Sequence, residues 1–123
     1  MVPNLIFMKP TDSYYLLHCF IARLQYYAVL EAWKDLKIGD AIALIPEPDN
    51  RYDRHAIIVA YGDHKLGYLP RSQNRTVSKI LIAGHDTYSA RNQSLYSDNP
   101  LYERIEICLN VKSLKKGGKR RGT

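Results

Sequence analysis

The stretch KIGDAIALIPEPDNRYDRHAIIVAYGDHKLGYLP, residues 37–70, leaves room for little other than an antiparallel β-meander. Gly39-Asp40 reads as turn chemistry, and the apolar run after it reads as a strand from about residue 41 to 45. Pro46 and Pro48 end that strand, because proline has no N–H to give to a ladder. HAIIVAY, rich in β-branched residues, is the next strand. Gly62-Asp63 then makes a two-residue turn that folds HAIIVAY back onto KLGYL as a hairpin.

The flanking segments extend this pattern. YYLLHCFIARLQYY contains a buried first strand near residues 16–24, and AVLEAWKDL spaces Val29, Leu30, Trp33 and Leu36 at helical intervals. After Pro70, Ser72 or Asn74 is placed to cap a helix whose apolar face carries Val77, Ile80 and Leu81, with Gly84 as its stop. Residues 85–101 are polar and read as a long loop, a candidate binding edge. Ile105, Ile107, Leu109 and Val111 alternate with polar residues, the mark of a half-buried closing strand. The expected class is mainly β: a small OB-like, partly open β-barrel with one or two short helices, with an α+β sandwich as the second option. At 123 residues this is one domain, expected over 14–112, with a lead-in at 1–13 and a flexible basic tail at 113–123.

Charge is distributed unevenly. The net +6 comes entirely from Lys112 onward, because the other 12 basic residues are matched by 12 acidic ones. Lys115, Lys116, Lys119, Arg120 and Arg121 can attract phosphates without regard to base sequence, or can simply solubilise the end of the chain. Specific recognition therefore belongs to the neutral body.

Several function classes are excluded or unsupported. The apolar run Leu5–Met8 is too short for a signal sequence, and nothing approaches the roughly 18 apolar residues of a membrane span. Cys19 and Cys108 sit in apolar strands and read as buried thiols of a reducing compartment, which points to a cytoplasmic protein. Glu47, Asp49 and Asp53 cluster around Tyr52, but a calcium loop counted from Asp49 would meet Arg51 and Arg54 where it needs an oxygen ligand and a glycine. His18, His55, His64 and His85 lack zinc spacing, and no phosphate loop or nucleophile elbow is present. No metal, cofactor or catalytic residue is expected. A metal-dependent nuclease built on the three carboxylates is the weakest reading.

The motifs G-D, E-P-x-N-x-Y-D-x-x-A-I and G-Y-x-P-R, which stand here at Gly39, Glu47 and Gly67 onward, resemble the HIRAN domain in content and order. FIARLQYY is similar to the family's first strand. The family occurs in fork-remodelling translocases such as the helicase-like transcription factor, and as small stand-alone bacterial proteins, which this length suggests. The resemblance implies an OB-like barrel that grips the 3′ end of single-stranded DNA. It assigns Asp53 to accept a hydrogen bond from the terminal 3′-hydroxyl, the one backbone position of DNA that ends in a donor. Tyr52 and Tyr26 would stack on bases at about 1–3 kcal/mol each. Asn50 would bond the end nucleotide, and Arg71, assisted by Tyr68, would neutralise a phosphate.

Each residue also has a structural reading. Asn50 and Asp53 can serve the turn, Tyr26 and Tyr52 the core, and Arg71 the solvated surface. Three positions depart from the translocase domains. Gln25 stands where they carry a phosphate-binding arginine, Arg23 where many relatives carry glycine, and Asp49 where they carry asparagine. These changes predict weaker binding. The function implied is a non-enzymatic module for single-stranded or frayed DNA 3′ ends in repair or fork processing, nucleoid-associated when DNA-bound, with repair or replication proteins as further partners. The alternative is a protein-interaction adaptor on the same barrel, using the 85–101 loop and exposed tyrosines.

Overall fold

The computed structural model describes residues 14–100 and 103–112. The expected lead-in and the tail cations Lys115, Lys116, Lys119, Arg120 and Arg121 lie outside the described residues. In chain order the elements are β1 (Tyr14–Phe20), α1 (Tyr26–Trp33), β2 (Ala41–Pro46), β3 (Ile57–Tyr61), β4 (His64–Tyr68), α2 (Arg71–Ile82), β5 (Tyr88–Leu95) and β6 (Ile105–Val111). The six strands run β1-β6-β5-β2-β3-β4, with every pairing antiparallel. This is the mainly β, OB-like open barrel that the strand pattern implies.

β2 is handed from one half of the sheet to the other. Ala41 and Ile42 pair with Arg91 and Ala90 of β5, and the strand then pairs with β3 from Ala43↔Ala60 to Pro46↔Ile57. At the other end the chain beyond β1 folds over β4. The Ala22 and Tyr68 amides each donate to the other's carbonyl at 2.8 Å, and the Gln25 amide donates to Leu66 at 2.8 Å. Among the described residues this short bridge is the one main-chain link between the two ends, so the barrel stays partly open. Gly67 makes it possible. A Cβ there would sit 2.6 Å from the Ala22 carbonyl oxygen and 2.7 Å from an Ile21 side-chain carbon.

The core follows from alternation. Ile105, Ile107 and Leu109 on β6 are fully buried, and Ile57, Val59, Leu66 and Leu69 meet them from the β3–β4 side. α1 contributes Val29 and Ala32, and α2 contributes Val77. Each large aliphatic side chain so buried stabilises the fold by about 1.5–3 kcal/mol relative to exposure.

Four expectations change. The first strand runs over 14–20 rather than 16–24, because the chain turns at Arg23 after the Ala22 bridge. The first helix starts at Tyr26 and ends at Trp33, and Leu36 packs from the turn that follows. α2 begins at Arg71 directly after Pro70, so neither Ser72 nor Asn74 caps it. Its far end does close at Gly84, with the Gly84 amide on Leu81 and the His85 amide on Ile80.

The fourth change is that the polar stretch 85–101 carries a strand through its middle, over 8 of its 17 residues. β5 lies between β6 and β2, and its two buried inward positions are Ala90 and Asn92. A small residue and a buried amide take the places where apolar side chains would announce a strand. The main chain of Asn92 exchanges hydrogen bonds with Gly39 and Asp40 and its side-chain amide donates to Lys37, while its buried Oδ1 has no hydrogen-bond partner among the described residues. The long free loop expected here is confined to the residues on either side of β5.

Candidate functional site

The corner after β2 is held by its own polar side chains. Asn50 Oδ1 accepts from the amides of Tyr52 (2.9 Å) and Asp53 (3.0 Å), and its Nδ2 donates to Glu47 Oε1 at 2.7 Å. The same Glu47 oxygen accepts from the Tyr68 hydroxyl at 2.9 Å, and Lys65 Nζ donates to that hydroxyl at 2.9 Å. Asp53 Oδ1 accepts from the His55 amide and Oδ2 from Asn74 Nδ2, both at 2.9 Å. One bonded chain therefore runs from β4 through the corner to α2. Asp49 is exposed and joins none of these bonds. Among the described residues no three metal-ligating side chains converge.

Both engaged carboxylates are held in the charged form. Hydrogen bonds from Asn50 and then Tyr68 lower the Glu47 pKa below its ordinary value, with Lys65 and Arg23 adding their positive charge. Burial pushes the Asp53 carboxyl up. The Asn74 and His55 hydrogen bonds and the nearby Arg71 outweigh that push and leave its pKa below the ordinary value.

Arg71, the first residue of α2, reaches back to the corner. Its Nη2 donates to the Tyr52 carbonyl at 2.9 Å, and its Nε lies 3.6 Å from Asp53 Oδ2. The Arg71 side chain remains 64% exposed, Asp53 only 11%. The Tyr52 ring projects into solvent at 74% exposure. Tyr52, Asp53 and Arg71 thus form one patch: an open aromatic face, a recessed acceptor and an accessible cation.

Gln25 and Tyr26 lie further along. They border a groove of about 350 Å³ shared with Tyr27, His64 and Lys65. The Tyr26 ring is 54% exposed and meets Tyr27 edge-on at 5.2 Å, so it is available to a flat ligand and is not a core ring. Gln25 Nε2 is engaged by the Arg23 carbonyl at 3.0 Å. Lys65 joins the two regions, since it borders the groove and bonds Tyr68 of the corner network.

Two of the sequence-derived candidates have mainly internal roles. Tyr68 is 8% exposed, with its ring covered by Arg23 (4.2 Å) and Lys65 (4.7 Å) and its hydroxyl on Glu47. Asn50 is committed to the turn through three bonds. Sequence reasoning does not single out Glu47, Lys65 or Asn74 as contacts, yet they carry the network. A signal for Glu47 is present in the carboxylate cluster. Asn74 gives none, because its partner lies 21 residues away.

Comparison with known proteins agrees with this fold. The HIRAN domain family matches residues 14–111. A protein of Arabidopsis thaliana named Fanconi-associated nuclease 1 homolog is 32% identical over 79 residues, 63% of this chain but 8% of that protein's length. A crystal structure of a Lactobacillus plantarum protein superposes with a TM-score of 0.66 at 21% identity, covering 83% of this chain and 97% of the other. The HIRAN domain of human HLTF superposes at 0.62 and 18% identity, covering 82% and 80%. The match spans nearly every described strand and includes the whole corner, and the chain belongs to the HIRAN domain family.

Proposed function

We propose that this chain is a non-enzymatic DNA-binding module that takes single-stranded or frayed DNA at its 3′-hydroxyl end. The reading is carried by the arrangement of Asp53 between the open Tyr52 ring and the accessible Arg71 guanidinium, which is itself tied to both. A carboxylate has roughly four acceptor directions. On Oδ1 of Asp53 the His55 amide is the one bonded donor among the described residues, which leaves acceptor capacity for a terminal hydroxyl. A 3′-phosphate would bring like charge and no donor to the same place. Tyr52 stacks on the last base, Arg71 neutralises its phosphate, and Tyr26 stacks on a base further along. Asn50 and Tyr68 act by holding Glu47 and the corner in place. A setting in DNA repair or fork processing draws on the name of the plant relative.

The test is a competition titration of three oligonucleotides of one sequence, ending in a 3′-hydroxyl, ending in a 3′-phosphate, or circularised. The 3′-hydroxyl form should bind about tenfold more tightly than either other form, a difference of roughly 1.4 kcal/mol. Equal affinity for all three removes end recognition while leaving DNA binding intact. Absence of binding to all three favours the adaptor reading, which has one observation of its own. Tyr14 and Tyr15 on the outer edge strand β1 are 62% and 61% exposed.

A further inference from the structure

Arg23 has φ +49°, and it is the one residue other than glycine with positive φ among those described. The cause lies in the bridge. Ala22 pairs with Tyr68 and Gln25 bonds Leu66, so the first segment takes three steps where β4 takes two. The extra residue makes a bulge, and Arg23 fills its left-handed seat, a position that suits glycine.

Folding energetics do not account for an arginine in this seat. A left-handed conformation strains a residue with a Cβ. The guanidinium lies 4.2 Å from the Tyr68 ring centroid, and a cation over an aromatic ring at a solvent-facing site is a weak attraction that does not exceed that strain. Strained seats of this kind concentrate at binding sites.

The surroundings indicate the ligand. Lys65 Nζ lies over the same ring at 4.7 Å and gives one donor to the Tyr68 hydroxyl. Among the described residues neither Arg23 nor Lys65 forms an ion pair, and the Arg23 guanidinium donates no hydrogen bond. Of the nearby acids, Glu47 feels the charge of both cations but is bonded by neither, and the others are engaged elsewhere or turned to solvent. Glu47 accepts from Asn50 and Tyr68, Glu31 lies 3.7 Å from His64, and Asp63 sits in the exposed hairpin turn. Gln25 fixes the Arg23 carbonyl and also borders the groove that Lys65 shares with Tyr26.

We infer that Arg23 and Lys65 form a phosphodiester-binding subsite on the Tyr68 ring. This rests on the DNA-binding reading and adds to it. The strand leaves the Tyr52–Asp53–Arg71 patch and passes Arg23 and Lys65 on its way to the Tyr26 groove. An internal phosphate is bonded there, whatever the chemistry of the 3′ end.

The experiment is a salt series of fluorescence anisotropy with the full chain and a labelled oligothymidylate of about ten nucleotides, within the footprint of one OB-type barrel. Arg23→Gly should lower affinity about fivefold or more at low salt and reduce the logarithmic salt slope by about 0.7, the share of one single-strand phosphate contact. Its melting temperature should stay level or rise, because glycine suits the left-handed seat. Lys65→Gln should behave likewise in binding. If both variants bind within about twofold of wild type with unchanged slope, the subsite is refuted while DNA binding stands. If wild type binds no oligonucleotide, both readings fall together.

Discussion

Substituting Gly67 by alanine tests how the barrel is closed. The new Cβ would lie 2.6 Å from the Ala22 carbonyl oxygen, where ordinary contact begins near 3.4 Å, so the two segments must separate by roughly 0.8 Å. Three main-chain hydrogen bonds hold that seam at 2.8 Å: Ala22 to Tyr68, Tyr68 to Ala22, and Gln25 to Leu66. Lengthened by that amount they pass about 3.6 Å, beyond the range of a hydrogen bond. At a net value of about 1 kcal/mol each, the loss is about 2–3 kcal/mol. In urea denaturation this lowers the midpoint by about 1–2 M, for a slope near 1.5 kcal/mol/M. Gly62→Ala supplies the comparison. That glycine has φ +59°, and a methyl group added to it would meet nothing within 4 Å. Its substitution therefore acts through backbone conformation alone, at about 1 kcal/mol. If Gly67→Ala is no more destabilising than Gly62→Ala, the close approach of residues 21–23 to β4 is not what demands a glycine.

Further outcomes follow from the corner and the core. Asn50→Ala removes three hydrogen bonds and should cost about 2–3 kcal/mol in chemical denaturation; a loss below about 0.5 kcal/mol means the turn is held otherwise. The depressed pKa values of Glu47 and Asp53 give an acid limb. Their stabilisation is complete above the ordinary values of 4.5 and 3.8 and is lost as pH falls through their lower folded values, so melting temperature should drop there. Glu47→Gln with Asp53→Asn should flatten that limb, and an unchanged limb would assign it to other carboxylates. Burial, with Glu106 nearby, raises the Cys19 thiol to about 11. Iodoacetamide at pH 8 should therefore modify native Cys19 about a hundredfold more slowly than the unfolded chain; comparable rates would show that the thiol is open to solvent.

Legibility in the sequence varies with the kind of force involved. β2, β3 and β6 are readable because their β-branched runs or alternation express burial directly, as Ile105, Ile107 and Leu109 show, and β4 because the Gly62-Asp63 turn announces a hairpin. β5 is hidden, because Asn92 is buried by hydrogen bonds to a turn more than fifty residues earlier in the chain. At the corner, the clustered residue types do meet in one hydrogen-bonded network. Their partners do not follow from spacing, since Glu47–Tyr68 and Asp53–Asn74 each bridge 21 residues through tertiary structure. In the sequence Arg23 stands out only as one of the departures that the family resemblance marks. Its conformation becomes intelligible once the Ala22–Tyr68 bridge shows the extra residue.

That bridge gives the molecule a latch. The few hydrogen bonds joining residues 22–25 to β4 are the thinnest seam in the ring of strands, and so the natural place for a sub-global opening. Arg23 and Tyr68 sit on its two lips. Any strand gripping both would fasten the barrel shut, so occupancy should be visible as slowed amide exchange at Ala22, Gln25 and Tyr68 before it is visible in any change of shape.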